Sequence, residues 1–309
     1  MQLSPTEITY LAGVFDAVNP LSPFVNNKKE PEGSEARTLA DKGVLQAGRL
    51  TAEAEALLSP LAAPDRCARM VLQKPFCLLE KYTYRTNGRL TLAESDGSGL
   101  VITALEEDAA PVVEVLDDFV SHSAVKTARF QLTLPAAAAM VLMACIDLCR
   151  MWALGAYQTG GSVSLAFRPE DIVGQLTGGF VNGLAYGLAG NCGVEPPQGE
   201  RLPDLLRTLA EAGCIEPAEG EEGSYKLTAE YLLFARSFLI YDSLLLLEAF
   251  QLTGENKVAA SFELIFMSGM HDNISLALGP QGFEITSLSG DELRGRIRET
   301  LDCPAFTEA

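Results

Sequence analysis

The feature of this sequence that most constrains its fold is an internal repeat, because four short motifs recur in the same order along the chain. The first copy carries Leu3-Ser4-Pro5-Thr6-Glu7-Ile8, Leu39-Ala40-Asp41-Lys42-Gly43-Val44-Leu45, Leu50-Thr51-Ala52-Glu53 and Ile102-Thr103-Ala104-Leu105 with Asp108. The second carries Phe167-Arg168-Pro169-Glu170-Asp171-Ile172, Leu209-Ala210-Glu211-Ala212-Gly213-Cys214-Ile215, Leu227-Thr228-Ala229-Glu230 and Ile285-Thr286-Ser287-Leu288 with Asp291. The spacing between matching motifs grows along the chain, as longer loops would produce. This order predicts a tandem duplication.

The motifs also predict where helices begin and end. Ser4 is a favourable N-cap, and Pro5 suits the first helical position, where an N–H has no partner within the helix. Gly43 is typical of a helix C-terminus, and Thr51 is typical of the start of the next helix. Each copy is therefore expected to open with several short helices.

The second part of each copy has the alternation of β-strands. Residues 82–92 alternate around Asn87-Gly88, a strong hairpin signal, and residues 261–278 alternate around His271-Asp272-Asn273. Closing helices are predicted at 109–121 and 290–301. The expected second part of each copy is an antiparallel meander followed by a helix.

The predicted fold class is therefore α+β, a tandem duplication in which each unit is helical and winged-helix-like and then carries an antiparallel β-meander and a closing helix. The predicted boundaries are 1–124 for the first repeat unit, 125–166 for a connecting segment and 167–309 for the second. The connecting segment is expected to hold a long helix from Ala136 to Leu154. A pseudo-twofold axis is expected to relate the two units.

The charge of the chain bears on its partners. The formal net charge is -18 at pH 7, and an excess of this size repels phosphate backbones and anionic lipid. Nucleic acid and membranes are therefore not expected partners, and the uncharged runs at 130–146 and 172–194 are predicted to be core helices. Seven cysteines without a CxxC motif, and a start without a basic and apolar leader, predict a cytoplasmic location.

Winged-helix modules raise the alternative of a transcriptional regulator. In the second copy, residues 201–214 would form the recognition helix and residues 216–226 the wing. The helix balances Arg201 and Arg207 against two carboxylates, and the wing is dominated by glutamates. DNA reading needs a basic helix, so a module for protein contact is the preferred interpretation.

Few residues have the chemistry of a catalytic or metal-binding group, and we predict no catalytic residue, cofactor or metal site. Asp118 and His122 have helical i,i+4 spacing but lack a third ligand, and His271-Asp272 suits a hairpin turn, so both pairs are expected to be solvated. Cys145 and Cys149 lie among apolar residues and are expected to fill the core. The glycines at 178–190 match no phosphate loop and indicate close helix packing or a mobile segment. An enzyme of unrecognised type stays open as an alternative.

The stretch from Phe234 to Phe250 is more apolar than one helix face requires. Phe234, Phe238, Tyr241 and Phe250 are accordingly the candidate protein-binding surface. The expected partner is another protein, and a homodimer is one form that this contact can take.

A family resemblance agrees with these predictions. The opening Leu3-Ser4-Pro5-Thr6-Glu7-Ile8, the Leu39–Leu45 helix end and the Leu-Thr-Ala-Glu helix start at 50–53 resemble the first unit of the EspG-type chaperones of type VII secretion. The resemblance covers most of the chain and implies a cytosolic, non-enzymatic binder of a helical secretion substrate. It transfers no individual binding residue, and the winged-helix character and the glycine run are not features of that family.

Overall fold

A computed structural model describes residues 1–15, 18–25, 33–95, 97–105, 108–114, 116, 119–162, 165–178, 183–238, 243–254, 257–268 and 272–306. The fold is α+β, as predicted. Its helices are α1 Pro5–Ala12, α2 Glu35–Asp41, α3 Ala52–Ala62, α4 Ala110–Glu114, α5 Ala136–Thr159, α6 Pro169–Gly178, α7 Leu184–Cys192, α8 Leu202–Glu211, α9 Ala229–Ser237 and α10 Gly290–Leu301. A short 3-10 turn, Gly199–Arg201, precedes α8.

The strands are β1 Gln2–Leu3, β2 Leu45–Gln46, β3 Arg49–Leu50, β4 Arg66–Lys74, β5 Cys77–Thr86, β6 Arg89–Ser95, β7 Leu100–Leu105, β8 Gln131–Leu134, β9 Ile215–Pro217, β10 Tyr225–Leu227, β11 Ser243–Gly254, β12 Lys257–Met267, β13 Asn273–Gly279 and β14 Gly282–Leu288. The described pairings, such as β4 with β5 and β13 with β14, are antiparallel. Small hairpins, β2–β3 and β9–β10, follow α2 and α8.

The chain divides into two compact units. Unit 1 contains Met1–Asp118, Leu246–Phe262 and Arg294–Ala309, and unit 2 contains Phe119–Leu245 and Glu263–Leu293. The strand order is β1-β7-β6-β5-β4-β11-β12 in unit 1 and β11-β12-β13-β14-β8 in unit 2, so β11 and β12 contribute residues to each. The repeat boundaries at 124 and 167 concern sequence similarity and stay a prediction.

The predicted helix caps are present. Ser4 and Glu7 form a reciprocal capping box on α1, in which Glu7 N donates to Ser4 Oγ at 3.3 Å and Ser4 N donates to Glu7 Oε2 at 2.7 Å. Thr51, the N-cap of α3, donates its hydroxyl to the Gly43 carbonyl oxygen at 2.9 Å. Thr228 makes the same contact to the carbonyl oxygen of Gly213, at 2.8 Å.

The Asn87-Gly88 hairpin is also confirmed. Thr86 pairs with Arg89 across the turn, and both turn residues have positive φ, 50° for Asn87 and 83° for Gly88. These angles are those of a type I′ turn, whose twist matches that of the flanking strands. In the second meander β12 and β13 pair antiparallel with Met267 opposite Asn273, while His271 lies outside the described residues.

Each unit has a short edge strand that is followed within two residues by a proline. In each unit a glycine packs against the backbone at the end of this strand. A Cβ on Gly99 would lie 2.0 Å from the Leu3 carbonyl oxygen, and a Cβ on Gly282 would lie 2.1 Å from that of Leu134. Strand β1 pairs with β7 in unit 1, and β8 pairs with β14 in unit 2. The order of elements in the second half thus parallels the first, although the duplication and its pseudo-twofold stay a prediction.

Helix α5 is the long helix predicted from Ala136, and it continues to Thr159 within unit 2. It packs against α6, α7, α8 and α9. Among the described residues it alone has the length and hydropathy of a membrane-spanning helix, and 72% of the window that meets this criterion is buried inside the protein. This burial agrees with the predicted core helix, and Cys145 and Cys149 are both buried in it, as expected.

Other predictions need correction. The first closing helix, expected at 109–121, is the short α4, which ends at Glu114, and the chain from 119 to 126 is not helical. In the glycine run, residues 179–182 lie outside the described part of the chain. Gly187 of α7 packs closely, since a Cβ there would lie 2.5 Å from the Phe266 ring.

Candidate functional site

The predicted apolar surface is mostly interior. Phe234 and Phe238 are fully buried and stack with ring centroids 4.9 Å apart, and Phe130 meets Phe234 edge-on at 5.3 Å. The expectation that these two rings lie on the surface is therefore corrected, because α5 packs against α9 and Phe130 packs against Phe234. Tyr241 lies outside the described residues, and Phe250 is half-buried on β11.

A buried ion pair holds this part of unit 2 together. Arg150 Nη1 donates to Asp147 Oδ1 at 2.6 Å, and Arg150 Nε donates to the Phe238 carbonyl oxygen at 2.6 Å. The other Asp147 oxygen accepts from the backbone N–H of Ala185, at the start of α7. The pair thus ties α5 to the ends of α7 and α9, which is a structural role.

A cavity of about 470 Å³ lies in unit 1, and Phe250 is part of its lining. Strand β4 contributes Cys67 and Arg69, and β5 contributes Tyr82 and Tyr84. Residues two apart on a strand face the same side, so these side chains share one face of the sheet. Further lining comes from 20–23, Leu100, Glu248 and Val258. The volume is in the range of small-ligand or side-chain pockets.

The cavity wall at 20–23 is held in place by hydrogen bonds of Asn19, the residue that precedes it. Asn19 Nδ2 donates to the Pro64 carbonyl oxygen at 2.8 Å, and Asn19 N donates to that of Ala62 at 3.1 Å. Phe24 is buried and stacks on Phe15 with centroids 5.0 Å apart. The prolines at the cavity rim are therefore attached to α3 and the core of unit 1.

Arg69 and Glu248 are the charged residues of the cavity lining, and Glu80, which is not part of the lining, contacts Arg69. Arg69 Nε lies 2.8 Å and Nη2 lies 2.6 Å from Glu80 Oε1, while Nη1 donates to Glu248 Oε2 at 3.0 Å. The Tyr82 hydroxyl donates to the same Glu80 oxygen at 2.7 Å, and the Arg69 guanidinium lies 5.7 Å from the centre of the Tyr82 ring. Sequence reasoning missed this group, since Glu248 is far along the chain from Arg69.

The environment keeps these groups in fixed charge states. Burial opposes the charge of Arg69, but its hydrogen bonds to Glu80 and Glu248 outweigh this and raise the pKa of the guanidinium. Burial, together with the bond to Glu80, raises the pKa of Tyr82, so its phenol stays protonated. Burial likewise raises the pKa of the Cys67 thiol and makes it a poor nucleophile.

The β4–β5 hairpin carries exposed apolar residues at its tip. Lys74 pairs with Cys77 across the turn formed by Pro75 and Phe76. The Phe76 side chain is fully exposed, and Leu78 is 65% exposed. We call Phe76 and Leu78 the hairpin tip. Its only sequence signal was Pro75 between two strand-like segments, which predicts a turn but no exposure.

The segment of unit 2 that the sequence predicted to be winged-helix-like has two of its cations in ion pairs. It consists of α8 and the β9–β10 hairpin, and the latter is continued by a bridge between Phe167 and Tyr225. Arg207 pairs with Asp204 at 2.7 Å, and Lys226 pairs with Glu216 at 3.2 Å. These pairs neutralise two of the cations that a DNA-reading module would need.

Two of the four candidate metal and histidine positions, His122 and Asp272, lie within the described residues. Asp118 and His271 lie outside the described residues, and His122 is exposed on a non-helical segment. Asp272 is buried, contrary to expectation, because its carboxylate accepts the backbone N–H of Thr127 at 2.7 Å. Within the described ranges, no three His, Cys, Asp or Glu residues form a group suited to a metal.

Comparisons with known proteins identify the fold but no sequence relative. No protein-family model matches the chain, and no curated protein matches it. Among solved structures, the Mycobacterium tuberculosis type VII secretion system chaperone EspG5, in complex with a PE25-PPE41 dimer, superposes with a TM-score of 0.51. The match covers 100% of this chain and 98% of the EspG5 chain. The chain has the EspG5 fold.

The EspG5 comparison bears on the fold alone, since the sequence identity is 11%. It confirms the resemblance to EspG-type chaperones that the opening motifs indicated. It assigns no role to the hairpin tip or to the Arg69 cavity, whose chemistry has to be argued from this chain.

Proposed function

We propose that this protein is a non-enzymatic, chaperone-like protein that binds another protein in the cytoplasm, in association with secretion. The observation that carries the proposal is the hairpin tip, where a fully exposed Phe76 stands beside Leu78. Exposing a phenylalanine forgoes about 2 kcal/mol that burial against a partner would provide. Large aromatic side chains that become buried against a partner contribute strongly to protein interfaces.

The comparison supports the proposal. EspG5 is a chaperone that was solved with a bound protein dimer, and its fold extends over this whole chain. The net charge of -18 also supports a protein partner, because it disfavours binding of nucleic acid and favours a partner with a basic surface. The protonated Tyr82 and Cys67 of the cavity lack the low pKa of a nucleophile.

The proposal is tested with the full chain, expressed with an affinity tag in its own organism. Proteins that co-purify are identified by mass spectrometry, and the complex is rebuilt from purified components and measured by calorimetry. Phe76→Ser and Leu78→Ser are each expected to weaken the complex at least ten-fold, since a buried apolar anchor is lost.

Matched controls come from exposed residues elsewhere. Leu278 is 58% exposed on β13 and Tyr157 is 83% exposed on α5, so Leu278→Ser and Tyr157→Ser make comparable changes away from the hairpin tip. These variants are expected to bind within two-fold of the unmodified protein. A partner that binds the tip variants as tightly as the unmodified chain would show that the tip is not the contact.

A further inference from the structure

The ion-pair cluster at the unit 1 cavity has an excess of negative charge. Arg69 and Glu248 line the cavity, and Glu80 contacts Arg69 without being part of the lining. Arg69 uses Nε, Nη1 and Nη2 to contact Glu80 and Glu248. One cation thus faces two carboxylates. Lys81, which neighbours this cluster in sequence, pairs with Glu94 instead, and both lie on the opposite face of the sheet because Lys81 alternates with Tyr82.

In each of the two carboxylates, one oxygen accepts no hydrogen bond from the described residues. Every hydrogen bond that Glu80 accepts from a described side chain reaches Oε1, and the one that Glu248 accepts reaches Oε2. Glu248 Oε1 and Glu80 Oε2 accept nothing from described residues. The side chains of Glu80 and Glu248 are 26% and 19% exposed, so their charges are only partly screened by solvent. Because Glu248 lines the cavity, its Oε1 can accept a hydrogen bond from an incoming cation.

The walls around this charge are apolar and aromatic. Leu100, Phe250 and Val258 line the cavity together with the proline-rich wall at 20–23. A long side chain with a methylene stem fits such a site, since the stem contacts the apolar walls while its charged end reaches Glu248. The Tyr82 and Phe250 rings add faces that attract a cation.

We infer that the unit 1 cavity receives a basic side chain, arginine or lysine, that a protein partner carries between apolar residues. This inference rests on the proposed protein-binding function and names the chemistry of a second contact, separate from the hairpin tip. An acidic side chain is disfavoured, because three of the five Arg69 N–H groups already contact carboxylates and the nearby carboxylates repel an anion.

The test uses the whole protein with methyl-labelled leucine and valine, because Leu100 and Val258 report directly from the cavity. Acetylated and amidated peptides of sequence Gly-Leu-X-Leu-Gly are titrated, with arginine, citrulline or glutamate at X. Citrulline keeps the shape of arginine but lacks its charge. The arginine peptide is expected to shift the Leu100 and Val258 methyl signals saturably, and the citrulline peptide to bind at least ten-fold more weakly.

A protein variant checks the same contact from the other side. Glu248→Gln keeps the shape of the side chain and is expected to weaken binding of the arginine peptide about ten-fold. Glu299→Gln removes the same charge at an exposed position of α10 and is expected to change it less than two-fold. The comparison of arginine with citrulline on the unmodified protein stands even if Glu248→Gln folds poorly.

The opposite results overturn the inference. These are equal binding of the citrulline or glutamate peptide, or an arginine peptide that leaves the cavity methyl signals unmoved. If a protein partner depends on Phe76 but binds the Glu248→Gln variant normally, the cavity inference fails while the proposed function stands. If the arginine peptide binds but no partner depends on the hairpin tip, the proposed function fails and the cavity contact stands.

Discussion

Arg150 Nη1 donates to Asp147 Oδ1 at 2.6 Å, and both side chains are buried beneath the helices of unit 2. A second Arg–Asp pair with the same i,i+3 spacing, Arg207 with Asp204, lies exposed on α8 at 2.7 Å. The donor–acceptor distances of the two pairs are almost equal, but the first pair is buried and also bonds to the backbone of Phe238 and Ala185. Their comparison shows what burial and these backbone contacts add to an ion pair of this length.

Removing one partner of the buried pair is expected to destabilise the protein strongly. Arg150→Met leaves Asp147 without its counter-ion, and the free energy of unfolding should fall by about 3–5 kcal/mol. Arg207→Met at the exposed pair should change it by less than about 1 kcal/mol. Urea denaturation followed by circular dichroism measures both. Similar losses in the two variants would contradict a dominant role for burial.

The glycine that crosses the edge strand of unit 1 is expected to resist substitution. Gly99→Ala places a Cβ 2.0 Å from the Leu3 carbonyl oxygen, so β1 must move, at a cost of about 1–3 kcal/mol. Gly174→Ala in the middle of α6 has nothing within 4 Å and should instead stabilise the protein by about 0.5–1 kcal/mol. Thermal unfolding of the two variants should therefore move in opposite directions.

The capping box of α1 predicts a pH dependence of stability. Burial opposes the charge of Glu7, but the hydrogen bond from Lys42 and the backbone N–H of Ser4 outweigh it and lower the Glu7 pKa below its ordinary 4.5. A depressed pKa in the folded state contributes stability above pH 4.5 that is lost as the pH falls through the folded value.

Glu7→Gln should accordingly be less stable than the unmodified protein at pH 7, and the difference should shrink as the pH falls below 4.5. Denaturation curves at several pH values measure this change. Glu299→Gln provides the control, since Glu299 is exposed. A difference that stays constant with pH would show that Glu7 acts through its shape and not its charge.

DNA binding is expected to be absent. A chain with a net charge of -18 is repelled by phosphates, and the Arg207 and Lys226 side chains of the segment from α8 to β10 are paired with carboxylates. A gel-shift series with random duplex at low salt should show no retardation at micromolar protein. Retardation that weakens as salt rises would instead favour the transcriptional regulator.

Local signals in the sequence predicted local structure well. Ser4 and Thr51 begin helices, Asn87-Gly88 closes a hairpin and α10 spans the predicted 290–301, because caps and tight turns depend on residues within a few positions of each other. The repeated motifs also indicated the order of elements and the fold class. These features follow from the sequence by itself.

Burial and long-range proximity were decided by the tertiary structure. Phe234 and Phe238 looked like surplus apolar surface and are interior, whereas Phe76 carried no signal and is fully exposed. Arg69 meets Glu248 from 179 residues away along the chain. The physical reason is that periodicity gives the face on which a side chain lies, while other elements decide whether that face is covered and which charges it meets.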